Sequence, residues 1–206
     1  MLTLQRDFNQ LLKTTNAGHA EAITYLLGGG MLNDTLVRLA RDLEEHQIPY
    51  CIIGATALYK HGYQRLTTDI DVLMSPEGLE AFQNHLVGRG YRPAFNGATK
   101  KFRATENNVP IEIITSGEYP GDGRSKSVVF PDPADCYVMI EGVRTIPLPT
   151  LVELKLASGL TGRGRLKDLA DVQELIKILS LPREYADQLD ESVRAKFVEL
   201  YDDQVE

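Results

Sequence analysis

The segment Thr67-Thr68-Asp69-Ile70-Asp71-Val72-Leu73-Met74 alternates acidic and apolar residues, with the period of a β-strand, over its central positions. A strand over 69–74 projects Asp69 and Asp71 from one face and turns Ile70 and Val72 into a core. At a rise of about 3.3 Å per residue the two carboxylates stand about 6–7 Å apart. Such a pair repels itself unless a cation lies between, and its oxygens suit the octahedral shell of Mg²⁺, which takes a few carboxylates together with phosphate oxygens and water. The pattern therefore points to a metal platform for phosphoryl chemistry.

Upstream, Tyr50 to Ile53 is a short apolar strand and Gly54-Ala55-Thr56 opens a helix that stops near Gly62. A strand-to-helix junction at glycine lets a backbone approach phosphates closely, although glycine also ends strands for structural reasons alone. The fifteen residues from Gly54 to Asp69 allow one short helix and a return to the neighbouring strand.

Downstream, Val109-Pro110-Ile111-Glu112-Ile113-Ile114 places an acid inside an apolar strand. Burying Glu112 is costly without a metal or a cationic neighbour. The alternative is an edge strand with Glu112 on its solvated face, as Pro110 would allow. In a two-metal arrangement Asp69 and Asp71 would bridge the ions and Glu112 would bind the one nearest the nucleophile, activating a hydroxyl and stabilising a departing pyrophosphate.

Around this centre the chain reads as helices from Leu2 to about His46, with Asn33 as an N-cap and Gly28 to Gly30 as breaks. Ser75-Pro76-Glu77 starts a helix reaching about Val87. Strands are expected at Tyr91–Phe95, Lys101–Thr105, Ser127–Phe130 and Tyr137–Ile140. Thr150 and Glu153 have capping-box spacing for a helix to about Leu160. A loop over Thr161–Gly164 leads to a helix from about Arg165 to Leu179, and a final acidic helical part spans about Arg183 to Asp203. Helices, then strands with few helices, then helices again indicate an α+β fold: a mixed sheet flanked by N- and C-terminal helices. The division expected is residues 1–147, the N-terminal helices with the sheet core, and 148–206, a C-terminal helical region.

The chain has 206 residues, 43% hydrophobic and 25% charged, a balance that excludes disordered and collagen-like classes. Its first fifteen residues lack an apolar h-region, and no stretch approaches the roughly 18 apolar residues of a membrane span. A soluble cytoplasmic protein with no membrane partner is expected. Cys51 and Cys136 have no metal-site spacing and read as small packing residues, and the four histidines form no zinc motif. The net charge of −7 argues against indiscriminate nucleic-acid coating. The acid is concentrated after Arg183, while Arg92–Arg103 and Lys155–Lys167 each carry four bases and no acid, so local basic patches could receive a phosphate or an RNA end.

Gly54-Ala55, then Asp69-x-Asp71, then Glu112 resemble, in order, the motifs of the DNA polymerase beta-like nucleotidyltransferase superfamily. Arg165-Leu166-Lys167-Asp168-Leu169-Ala170-Asp171-Val172 is similar to the Lys-Asp-x-x-Asp motif of the AbiEii-type (type IV toxin-like) branch, and Ile113 to Gly121 to that branch's post-strand loop. The resemblance runs from about Tyr50 to Leu179. It implies a nucleotidyltransferase-fold core, an NTP substrate, two Mg²⁺ ions with Mn²⁺ as a substitute, and a toxin paired with a cognate antitoxin. The acceptor hydroxyl would belong to an RNA 3′ end, a protein or a small molecule such as an aminoglycoside. Lys167 would contact phosphates, and Asp168 or Asp171 would orient it or take part in proton transfer. Read directly, Lys167, Asp168 and Asp171 share one side of a helix, and Lys155, one helix earlier, is either a further phosphate ligand or a snorkelling surface lysine. Ala55 stands where many members carry Ser or Gly, which removes a hydroxyl contact to phosphate. A nucleotide- or partner-binding module with little or no catalysis is the alternative, as is a purely structural cation site.

Overall fold

The computed structural model describes residues 7, 10, 13, 15–26 and 28–204. Most of the helix expected before Thr15 lies outside them. Helices α1 (Thr15–Leu26) and α2 (Gly30–Glu45) lead into β1 (Tyr50–Ile52), α3 (Gly54–Lys60), β2 (Ile70–Met74) and α4 (Pro76–His85). Strands β3 (Tyr91–Pro93), β4 (Lys101–Ala104), β5 (Pro110–Thr115), β6 (Val138–Ile140) and β7 (Val143–Thr145) follow. Then come α5 (Leu148–Thr161), α6 (Leu166–Leu179), a 3₁₀ turn (Arg183–Gln188) and α7 (Glu191–Asp202).

The strands form one mixed sheet in the order β3-β4-β5-β2-β1-β7-β6, and the fold is α+β. β1 and β2 are antiparallel neighbours joined through α3, as the Gly54-to-Asp69 spacing requires. β2 and β5 run parallel with Asp71 opposite Glu112, and β4 brings Lys101 opposite Glu112 from the other side. Side chains paired across a sheet share a face, so Asp71, Glu112 and Lys101 form a polar row on one surface. On the other face Ile70, Val72, Ile111, Ile113 and Phe102 are buried. Helix α4 packs over β2 and β5 there. Its Phe82 meets Phe102 edge-on with ring centroids 4.9 Å apart and Tyr91 at 5.4 Å.

Local signals account for several boundaries. Ser75 accepts a hydrogen bond from the Gly78 amide at 3.0 Å, and Pro76 begins α4. The helix ends at His85, slightly before the expected Val87. Elsewhere tertiary partners replace the expected caps. Asn33 lies inside α2, because Glu21 of α1 accepts from the Met31 amide at 2.6 Å and lets the helix begin at Gly30. Thr150 and Glu153 form no capping box. Pro147 and Pro149 preset the first turn of α5, and Glu153 instead accepts from the Asp190 amide at 2.7 Å, where α7 begins.

The expected strand Ser127–Phe130 is irregular. Its backbone bonds turn back to Gly117 and Glu118, and the Ser127 hydroxyl donates to Asp190. β7 lacked a separate signal, being three residues beside a turn. β5 is internal, so the edge-strand reading of Glu112 fails. Asp69 lies one residue before β2 rather than within it. Cys51 is buried with its thiol pushed up to about 12 by desolvation, and both cysteines are free. Among the described residues no helix is long and apolar enough to cross a membrane.

Replacing Phe82 with Ala removes the ring that joins α4 to the sheet. It should lower unfolding free energy by about 3–5 kcal/mol, read as a reduced midpoint in urea at constant m.

Candidate active site

The polar row on the sheet opens into a cleft of about 790 Å³ between the sheet and helices α5 and α6. Gly54, Ala55, Asp69, Asp71, Glu112, Lys155, Lys167 and Asp168 all line it. Of the residues singled out from sequence, Asp171 alone stands behind the wall, 2% exposed.

Gly54 fixes the floor. Its φ is +64°, and a Cβ there would come within 2.0 Å of Asp71 Oδ2. Only glycine meets both conditions without displacing the carboxylate. Ala55 and Thr56 follow as buried residues of α3. Asp69 is oriented by the Thr67 hydroxyl, which donates to its Oδ1 at 2.7 Å. Glu112 pairs with Lys101 at 3.1 Å. Burial first, then the Asp69 and Glu112 carboxylates, push the Asp71 carboxyl up to about 7, against the opposing pull of Lys155 and Arg165.

The opposite wall is cationic and braced by buried acids. Lys155 of α5 is 6% exposed, which rules out the snorkelling alternative. Its Nζ donates to Asp168 Oδ1 at 3.0 Å and Asp171 Oδ2 at 2.6 Å. The Ser158 hydroxyl, one turn along α5, donates to Asp168 Oδ2 at 2.7 Å. The two carboxylates of α6 thus hold Lys155 rather than Lys167, because they turn inward to α5 while Lys167 lies exposed at the rim. Arg65, from the loop between α3 and β2, donates to the same Asp171 Oδ2 at 2.6 Å. Sequence reasoning missed Arg65, Ser158 and Thr67. Arg65 sits two residues before Thr67 in the segment leading to Asp69, but its partner is 106 residues away.

The third wall is the loop after β5, contributing Glu118, Tyr119, Pro120 and Gly121. Gly121 has φ +79°, and a Cβ would sit 2.4 Å from Thr161 Oγ1, so glycine lets this loop lie against the end of α5. Lys126 ties it there by donating to the Pro120 carbonyl, Asp122 and the Thr161 hydroxyl at 2.6–2.7 Å.

Among the described residues no three His, Cys, Asp or Glu side chains converge closely enough to hold an ion by themselves. The donor set nevertheless fits Mg²⁺, which is held by one or two carboxylates plus substrate phosphates in preference to an all-protein cage. Asp69 and Asp71 supply hard oxygens, and the Asp71 carboxyl, raised by burial first, also feels the neighbouring Asp69 and Glu112 carboxylates.

The chain matches no protein-family model and no curated protein. Among solved structures it is similar to a candidate nucleotidyltransferase from Helicobacter pylori, with 15% identity over 84% of this chain and 96% of that one, at a TM-score of 0.45. It is also similar to JHP933 from Helicobacter pylori, with 16% identity over 82% and 88% of the two chains and a TM-score of 0.45. A third is ANT(2″)-Ia in complex with adenylyl-2″-tobramycin, with 12% identity over 84% and 99% and a TM-score of 0.40. At these identities and TM-scores the likenesses carry no weight for function, which rests on the geometry of the cleft.

Two outcomes follow from Gly54 and Asp71. Gly54→Ala should destabilise the protein by more than about 1 kcal/mol through backbone strain and the displaced carboxylate, measured by thermal unfolding. The folded Asp71 carboxyl lies above its unfolded value, so between about pH 4 and 7 the folded state binds a proton that the unfolded state does not. Metal-free stability should therefore fall as pH rises through that window. Asp71→Asn should remove the effect and raise stability at pH 8 by on the order of 2–4 kcal/mol, read from melting curves in chelator.

Proposed function

We propose that the protein is a Mg²⁺-dependent nucleotidyltransferase, moving a nucleoside monophosphate from an NTP to an acceptor hydroxyl with release of pyrophosphate. The observation that carries this reading is one cleft with an acidic wall on the sheet, Asp69, Asp71 and Glu112, facing a cationic wall on the helices, Lys155, Arg165 and Lys167. A triphosphate with its counter-cation matches both. Mn²⁺ would serve in place of Mg²⁺, since both take hard oxygen ligands.

Asp69 and Asp71 would hold the ion, joined by Glu112 on release from Lys101. Bound there with the nucleotide, Mg²⁺ supplies charge neutralisation at the phosphates and lowers the pKa of the attacking hydroxyl. The backbone at Gly54-Ala55 lies at the cleft floor, open to close approach by a phosphate. Lys155 spends two of its three N–H donors on Asp168 and Asp171, leaving one for a phosphate oxygen. Asp168 and Asp171 act as positioning residues for that lysine, and exposed Lys167 extends the cationic wall to the mouth. The exposed run Arg163, Arg165 and Lys167 at the rim suits an RNA 3′ end better than a protein hydroxyl. Should the acceptor be a cellular RNA, the AbiEii-type likeness adds a toxin role with a cognate antitoxin as partner.

A binding module without turnover is the second reading, favoured by Ala55, a buried residue that offers no hydroxyl to a phosphate. The deciding experiment is Mg²⁺-dependent transfer of label from each of four α-³²P NTPs to total RNA and to total protein. Label should appear on one pool and fall at least about a hundredfold in Asp69→Asn and Asp71→Asn. Transfer retained in both variants defeats the metal assignment, and nucleotide binding with no transfer to RNA, protein or small hydroxyl compounds supports the binding module.

A further inference from the structure

Among the described residues that line the cleft, Arg65 is the cation that comes from the sheet side and ends on the helical side. It lies on the segment between α3 and β2, four residues before Asp69. Its guanidinium shares a single oxygen, Asp171 Oδ2, with the Lys155 ammonium, each at 2.6 Å. Asp171 is almost wholly buried, whereas the Arg65 side chain keeps 17% of its surface and lines the cleft. Two residues on, the Thr67 hydroxyl orients Asp69. One ion pair therefore bolts the segment carrying the first acid to the helix that braces the phosphate-facing lysine.

The charge count gives this contact a second role. Lys155 faces two carboxylates, Asp168 and Asp171, and that trio alone carries one net negative charge. It would repel a phosphate despite the lysine. Arg65 brings the group to neutrality, and Arg165, 3.8 Å from Asp168, brings it to one net positive charge. In a wall of reduced dielectric, a change of one unit charge at this range is felt strongly by an incoming anion.

Resting on the nucleotidyl-transfer reading, we infer that Arg65 is a positioning residue for the nucleotide: through Asp171 it sets the sign of the Lys155 wall, making it a polyphosphate site, and holds that wall against the Asp69 segment. Lysine at 65 gives up the planar fork but keeps the charge and a donor for Asp171, which Arg65 reaches through Nη1 alone.

The test is calorimetric binding of inorganic tripolyphosphate and of each NTP, with Mg²⁺, to the full chain. Wild type should bind. R65Q should bind tripolyphosphate at least tenfold more weakly. The double variant R65Q/D171N restores the wild-type charge count with nearly unchanged shapes, so it should recover at least threefold of that loss, which a purely structural tether would not. R65Q binding within twofold of wild type, or a double variant no better than R65Q, overturns the inference. If R65Q does not fold by circular dichroism, Arg65→Lys decides, with binding within threefold expected and a tenfold loss contrary. Wild type that binds neither tripolyphosphate nor any NTP removes the nucleotidyl reading first and this inference with it, an outcome separable from a defect seen only in the variants.

Discussion

The register of β2 against β5 sets Asp71 beside Glu112 on one face of a parallel strand pair, and the surrounding structure answers that concentration of negative charge. Asp69 adds a third carboxylate from the approach to β2. Gly54 folds its backbone onto the Asp71 carboxylate in a space that admits no Cβ. Lys101, the cross-strand partner of Glu112, covers part of the row from the sheet itself. Across the cleft Lys155 and Arg165 pull the other way, but burial first, and then the Asp69 and Glu112 carboxylates, keep the Asp71 carboxyl well above an ordinary aspartate.

The centre of this arrangement was legible because its determinants are local. Alternation across Asp69-Ile70-Asp71-Val72 has one strand reading, and the apolar flanks of Glu112 place it in a second strand. A glycine fifteen residues before Asp69 is the right distance for a strand, a short helix and a return. What local patterns record poorly is competition by distant partners. Asn33 and the Thr150/Glu153 pair carry genuine capping chemistry, but Glu21 and two prolines supply those helix starts, and Glu153 finds the α7 terminus instead. Arg65 carried no signal of its own. Its meaning depends on Asp171, and a residue whose role is to join two sheet-to-helix layers cannot be read from either layer alone.

The helical wall presents a physical trade. Hydrophobic replacements for a buried ion pair are often neutral or stabilising, because desolvation offsets much of the Coulomb attraction. Asp171, Lys155 and Asp168, all largely buried, with Ser158 filling a remaining acceptor, are thus a weak device for stability. They are a strong device for geometry. Each hydrogen bond removes a rotamer of the lysine, so its ammonium stands already placed and with one donor to spare, and a preorganised group of this kind would lose little entropy on binding an anion. Leucine at 155, 168 and 171 would pack α5 against α6 as well, and would take from the cleft the ammonium that α6 holds in place. Charges at the depth where apolar side chains would serve the fold are what the proposed binding of a polyphosphate opposite Asp69 and Asp71 calls for.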